Sequence, residues 1–154
     1  MLTNIIIVLF TFFIMEGITW MTHKYVMHGF LWVWHYDHHN KNPKSFFEKN
    51  DYFFIVFAVI SMSFFLIGTF VAQFWFLFYI GMGILTYGMA YFVVHEIVIH
   101  QRFRFFTHSN NFYVKAIRRA HKNHHKHLEK GDGECFGMLW VPFHFFKNAW
   151  NETK

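Results

Sequence analysis

Ten of the thirteen histidines fall into four short clusters, His23/His28, His35/His38/His39, His95/His100 and His121/His124/His125. The spacings are H-x4-H, H-x2-H-H, H-x4-H and H-x2-H-H, so a two-part pattern occurs in the first quarter of the chain and again near residue 100. Neutral imidazole suits iron, zinc, copper and nickel, whereas magnesium and calcium want a shell of oxygens. Ten nitrogens exceed what one ion can use, and a structural zinc site would need only about four. The pattern therefore predicts two metal ions with roughly four or five nitrogens each. Taken alone, a pair such as His23/His28 is read equally well as a surface or satisfied polar pair. Four clusters at these spacings are not.

On a helix, H-x2-H-H puts residues at i, i+3 and i+4, so His35/His38/His39 and His121/His124/His125 each project three imidazoles from one face. H-x4-H behaves differently: five residues turn an ideal α-helix by ~500°, leaving the two rings ~140° apart. Each such pair is expected to reach different metals or to sit where the helix frays, which Gly29, directly after His28, would permit.

The elements that carry these clusters are greasy. Apolar residues make up 55% of the chain and aromatics 24%, with twenty-four Phe, while charged residues are 15%, below the ~25% of soluble domains. Every Lys and Arg lies at Lys24, between Lys41 and Lys49, or from Arg102 onward. Residues 1–22 hold one charge, Glu16, and residues 52–94 hold none. Those two gaps predict membrane spans. Leu2–Met21 reads as one, retained because no basic segment precedes it and no small-residue cleavage site follows. The run from Tyr52 to Val94 would be ~64 Å long as one helix, so it is expected to turn near Gly68 to Gln73. The expectation is an all-α integral membrane protein, a single domain over residues 1–154 with spans at about 2–21, 52–70 and 74–94 and a fourth left open.

One crossing followed by a hairpin would put all ten clustered histidines and every Lys and Arg on one face. By the positive-inside rule that face is cytoplasmic, here at the cell's inner membrane. Asn110 to Lys130 reads as a basic amphipathic helix at the lipid surface, ended by Gly131. Phe136 to Phe146 is too short to span and contains Pro142, so it reads as an interfacial or re-entrant cover. There is no room for a flavin, haem or iron–sulfur module, and a single cysteine, Cys135, allows neither such a cluster nor an internal disulfide. Electrons must come from another protein.

Along nearly its whole length the chain resembles the bacterial β-carotene hydroxylases of the membrane fatty-acid hydroxylase and sterol desaturase superfamily. The segments that carry the resemblance are HKYVMHG at 23–29, HYDHH at 35–39, FEKNDYFF at 47–54, HEIVIHQRF at 95–103, AHKNHH at 120–125 and CFGMLWVP at 135–142. The resemblance implies a non-haem monooxygenase with two iron ions and no tightly bound organic cofactor. Such an enzyme uses O₂ and two external electrons to hydroxylate carbon 3 of a β-ionone ring, taking β-carotene through β-cryptoxanthin to zeaxanthin. It maps the family's histidine signature onto the ten clustered residues and leaves His108, His127 and His144 without a metal role. Glu96 stands where relatives often carry Asp, which keeps a carboxylate.

The partners this implies are a lipid-dissolved carotenoid, membrane lipids and an electron donor such as ferredoxin with its reductase and NAD(P)H; no nucleic acid is expected. Lys115, Arg118, Arg119, Lys122 and Lys126 form a basic surface suited to an acidic ferredoxin or, more simply, to anionic headgroups. A fatty-acid or sterol hydroxylase or desaturase is the nearest alternative, although the FExND and HQRF flanks would then be unexpected. A histidine-rich metal transporter is a more distant one, and it would want polar groups near the midplane that the second and third spans lack.

Five further residues are candidates. Glu16 is the sole ionisable group within the spans, where a carboxylate is expensive. Seven residues before His23 it lies ~10 Å deeper on nearly the same face. That places it beside the substrate ring or behind a metal-bound imidazole, unless it is a protonated carboxyl bonded to a neighbouring helix. Gly81, Gly88 and His95 recur every seven residues, either clearing a channel below the metals or letting helices pack closely. Asp37 and Glu96 are placed to orient imidazoles, or else are solvated charges at helix ends.

Overall fold

The computed structural model describes residues 1–40, 46–103, 105–131 and 133–153; Lys41, Lys44, Arg104 and Lys154, part of the charge pattern above, lie outside these. Helix α1 (Leu2–Met21) runs directly into a π-helical segment (Thr22–Phe30) that kinks at Gly29. After the short α2 (Trp32–His39) come α3 (Asp51–Phe70) and α4 (Phe76–Tyr91), and α4 continues into a second π-helical segment (Phe92–Ile99). Helices α5 (Phe112–His124) and α6 (Phe143–Asn151) complete an all-helical fold, with no strand among the described residues.

Three rods, Leu2–Phe30, Asp51–Phe70 and Phe76–Ile99, are long and apolar enough to cross a membrane. Their outer faces are apolar too: Phe10 and Phe13 are each 65% exposed and Val59 59%, a surface that only hydrocarbon would cover favourably. The α3–α4 hairpin turns at Val71 through a 3₁₀ turn at Ala72–Phe74, within the expected interval.

Helix α4 is the central rod, packed against both α1 and α3, while α1 and α3 scarcely meet. Glycine makes those approaches close. A Cβ at Gly81 would stand 2.9 Å from the Ser61 carbonyl oxygen of α3, and one at Gly83 would stand 2.5 Å from Thr11 Cβ of α1. Ser61 Oγ donates to the Gly81 carbonyl (2.9 Å) across the first of these contacts. Gly81 is thus a packing position and not part of a channel, whereas Gly88, whose nearest neighbour is Phe54 at 3.9 Å, borders the cavity described below.

Asn111 caps α5, its Oδ1 accepting from the Tyr113 and Val114 N–H groups at 2.8 and 3.3 Å, as capping chemistry requires. The helix was expected to reach Lys130. It stops at His124 instead, because the following carbonyls of His127, Leu128 and Lys130 turn away to receive His39, Asn40 and His28. Nor does the apolar stripe of α5 face lipid: Ala116, Ile117 and Ala120 are buried against α6 and the second π segment.

Two members of the expected basic surface also have partners within the chain, although Arg119 and its partner remain exposed. Arg118 donates to the carbonyls of Val98, Thr107 and Phe106, and Arg119 pairs with Glu152 of α6. Residues 133–137 follow as non-helical chain, and helix resumes only at Phe143, after Pro142.

Candidate metal centre

The π segments resolve the geometry of the H-x4-H pairs. The His100 N–H donates to the His95 carbonyl (2.9 Å) and the Leu31 N–H to the Val26 carbonyl (3.0 Å), both five-residue bonds. In this wider turn residue i+5 stands above residue i. The ~140° separation holds only for an ideal α-helix and does not occur here. His23 and His28 join one group and His95 and His100 another, so each pair falls within a single group.

The first group comprises His23, His28, His35, His39 and His124, and the second His38, His95, His100 and His121. Within each, the nitrogens offered lie within 4.8 Å of one another. Donors ~2.1 Å from a common ion would be ~3 Å apart when adjacent and ~4.2 Å apart when opposite, so both groups have the spread of a coordination shell. Each H-x2-H-H claw is divided: α2 sends His35 and His39 to the first group and His38 to the second, and α5 sends His124 to the first and His121 to the second. The tenth histidine, His125, joins neither set but places Nε2 2.8 Å from His121 Nε2 and stacks on His39. Of the histidines outside the motifs, His127 contributes only its carbonyl, to His39.

Hydrogen bonding fixes the tautomers of the first group. Nδ1–H donates to a carbonyl in four of the rings, from His23 to Phe136 (3.0 Å), His28 to Lys130 (3.3 Å), His39 to His127 (2.9 Å) and His124 to Glu134 (2.6 Å). In the fifth, His35 donates to Asn50 Oδ1 (2.7 Å). Each Nε2 then carries a lone pair and no proton. Yet His23 and His35 hold their Nε2 atoms 3.0 Å apart, and His28 and His124 hold theirs 3.2 Å apart. Facing lone pairs repel unless a cation lies between them.

Protons are poor candidates for that cation. Burial holds the imidazoles of His35 and His124 down to about 2 and that of His39 to about 4, with neighbouring imidazoles adding to the effect. His38 and His121 are lowered well below the ordinary range by burial and by His100 and His95. The Nε2 atoms of His38 and His39 are buried and lack a hydrogen-bond partner, an arrangement avoided in folded proteins unless an ion is bound. The donor set fits nitrogen-preferring transition metals.

In the second group His38 Nδ1 donates to Glu48 and His95 Nδ1 to Glu96, both at 2.7 Å. Glu96 therefore orients an imidazole, one of the two roles open to it from sequence. Asp37 does not: its Oδ2 accepts the Lys49 N–H (2.7 Å), which ties the FEKND segment to α2. Glu48 and Asn50 support imidazoles directly and Arg102 stands behind Glu48 and Glu96. Their signal lay in the FEKNDYFF and HEIVIHQRF segments, which carry the resemblance but contain supporting residues that no ligand spacing reveals.

Glu16 bonds no imidazole and does not itself line the cavity, although two of its partners, Tyr87 and Met138, do. Its Oε1 accepts the N–H groups of Met138, Leu139 and Trp140 at 3.0, 2.9 and 3.1 Å, and its Oε2 accepts Tyr87 O–H at 2.7 Å. It is an anchor for the cover segment, which explains a carboxylate at this depth. The anchored segment lays the Phe136 ring against His23, His28 and His124.

A cavity of about 560 Å³ lies between α1 and α3 over the face of α4, in the size range of ligand pockets. Its walls are overwhelmingly apolar, with Met15, Phe57, Ala58, Ile84 and Met138 among them, and it ends at His23 of the first group and His95 and His121 of the second. Because α1 and α3 scarcely meet, its long side is not closed by helix packing.

The family model described as fatty acid hydroxylase matches residues 8–147. Proteins named beta-carotene hydroxylase are similar across most of the chain. One from Pseudescherichia vulneris is 39% identical over 92% of this chain and 78% of its own length, and one from Pantoea ananas is 39% identical over 90% and 78%. A third, from Paracoccus sp. (strain N81106 / MBIC 01143), is 36% identical over 92% and 86%. No solved structure matches. Similarity of this extent, reaching from the first span into α6, shows that the chain belongs to the fatty acid hydroxylase family and is an oxidoreductase.

Proposed function

We propose that this chain is a β-carotene 3-hydroxylase, taking β-carotene through β-cryptoxanthin to zeaxanthin with two irons, O₂ and external electrons. The observation that carries the reading is an apolar cavity, lined by α1, α3 and α4, that reaches two groups of converging histidines. The names of the bacterial relatives supply the carotenoid. One iron is assigned to His23, His28, His35, His39 and His124, the other to His38, His95, His100 and His121, with His125 beside both.

Bound there, the irons supply the oxidising power that an unactivated ring C–H bond demands. Each turnover balances as one C–H bond, O₂, two electrons and two protons giving one C–OH group and water. The chain's own residues do the rest. Met15, Phe57, Ile84 and Met138 admit a β-ionone ring from the lipid and exclude water. The amide and backbone carbonyls and the carboxylates behind seven of the imidazoles, all but those of His100 and His121, would hold their Nε2 atoms toward the ions.

The distribution of Lys and Arg supports a site at the cytoplasmic face of the inner membrane, where a ferredoxin supplied by its reductase and NAD(P)H would reach it. With Arg118 and Arg119 engaged internally, the donor is expected to meet Lys122 and Lys126, both exposed. Expression in cells that accumulate β-carotene tests the function: zeaxanthin should appear. Unchanged β-carotene together with hydroxylated fatty acids would move the chain to the lipid-hydroxylase alternative. Elemental analysis of active enzyme should find about two irons per chain, and a single metal would end the dinuclear reading.

A further inference from the structure

The two histidine groups differ in what stands behind their rings. All five imidazoles of the first donate to neutral oxygens, whereas His38 and His95 of the second donate to the carboxylates of Glu48 and Glu96. Both carboxylates lie against one guanidinium. Arg102 Nη1 is 3.2 Å from Glu96 Oε2 and Nη2 is 3.8 Å from Glu48 Oε1. Both nitrogens also reach Asp51 Oδ1 at 3.3 Å. The side chain is 8% exposed and lies over the Phe46 ring at 5.3 Å.

The backbone is shaped to put it there. Gln101 adopts the left-handed region at φ 53°, rare for a residue with a side chain. The reversal lets the Arg102 N–H donate to the Glu96 carbonyl at 2.8 Å.

We propose that Arg102 is a positioning residue that holds Glu48 and Glu96 against His38 and His95, making the four-histidine site the more electron-rich of the two. This rests on the two-iron reading above. A carboxylate accepting the Nδ1 proton raises the basicity of the opposite nitrogen and fixes the ring; a carbonyl does so less. Glu48 and Glu96 are nearly buried and Asp51 partly so, and carboxylates gathered this closely repel one another unless a cation stands among them. Arg102 supplies that cation, and its fork reaches several oxygens at once. The two irons should consequently be inequivalent.

The test is Mössbauer spectroscopy of the ferrous enzyme in lipid, loaded with isotopically enriched iron, alongside metal analysis. Wild type should show two quadrupole doublets of equal area. Arg102→Gln should alter one doublet and weaken one iron by about 10- to 100-fold in affinity, leaving the other in place, and Arg102→Lys should restore the second iron in part. Asn50→Ala, which touches only the five-histidine group, should perturb the opposite doublet. If Arg102→Gln accumulates poorly, Glu48→Gln keeps the shape, removes one carboxylate charge and should shift the same doublet. The proposal is overturned if Arg102→Gln and Glu48→Gln leave both doublets unchanged, or if Arg102→Gln loses both irons equally while retaining wild-type helicity. Fewer than two irons in the wild type would overturn the two-iron reading and the proposal with it.

Discussion

The five-histidine and four-histidine groups grow from the same repeated motif pair, yet they are supported by different kinds of structure. Behind four rings of the first stand backbone carbonyls of residues 127–136 and behind the fifth, His35, the Asn50 side chain, so its shape is set mostly by the path of the backbone. Behind the second stand Glu48, Glu96 and Arg102, so its shape is set by side chains. Substitutions can reach both carboxylate supports of the second group directly, whereas in the first they reach only Asn50, behind His35, and the four carbonyl supports can be disturbed only by moving a loop.

The largest effect that tests this contrast comes from the ligands themselves. His124→Ala and His121→Ala, one from each group, are each expected to reduce turnover by more than about 100-fold, while His108→Ala, at an exposed position, should leave it nearly unchanged. Comparable losses at all three positions would mean that the groups are wrongly drawn. Next come the supports: Glu48→Gln and Glu96→Gln should each lower metal affinity by about 10- to 100-fold at the four-histidine group alone, read by metal content during dialysis against a chelator. Equal loss from both groups would erase the distinction.

Protonation sharpens the contrast on the five-histidine side. His39 is held at about 4 by burial and by His28, below its ordinary value, so between about 4 and about 6.5 the unfolded chain binds more protons than the folded one. The metal-free protein should therefore be most stable above about pH 6.5 and lose stability as pH falls toward about 4. Melting temperatures measured from pH 7.5 to pH 5 check the sign, and a rise on acidification would refute it. The smallest effect is expected from Phe136→Ala, which removes a ring packed on three rings of the first group. Turnover should fall only a few-fold, about the effect of losing one packing contact without a ligand, and the five-histidine iron should become the more labile. Faster loss from the other group would break the comparison.

The same contrast explains what could be read in advance. The histidine clusters, the apolar rods and the turn after Phe70 follow from composition and spacing, and Glu96 was accessible because it adjoins a ligand. The pairing of His23 with His28 was not, since α-helical periodicity sends them apart and only a π segment reunites them. Glu48, Asn50 and Arg102 sit in quoted motifs, but their partners lie 10, 15 and 6 positions away, and no periodicity links them. Carbonyl supports leave no trace at all, because every residue has one. Asp37 was open between orienting an imidazole and being a solvated charge, and here its Oδ2 accepts the Lys49 N–H, a partner twelve positions away that no spacing reveals.

Glu16 also bears on the order in which the molecule is assembled. The groups it receives, at Met138, Leu139 and Trp140, are 122 to 124 positions downstream, and they belong to the segment that lays Phe136 over the five-histidine group. All three apolar rods precede that segment in the chain. They can be inserted during synthesis while this flank of the cage still stands open, and the carboxylate on the first rod waits for the lid. The five-histidine group is thus covered last, once the segment that ends on Trp140 docks on the first rod. An arrested chain ending before Phe136 should surrender its metal to a chelator far faster than the finished one, and equal rates would show that the lid does not control the exit.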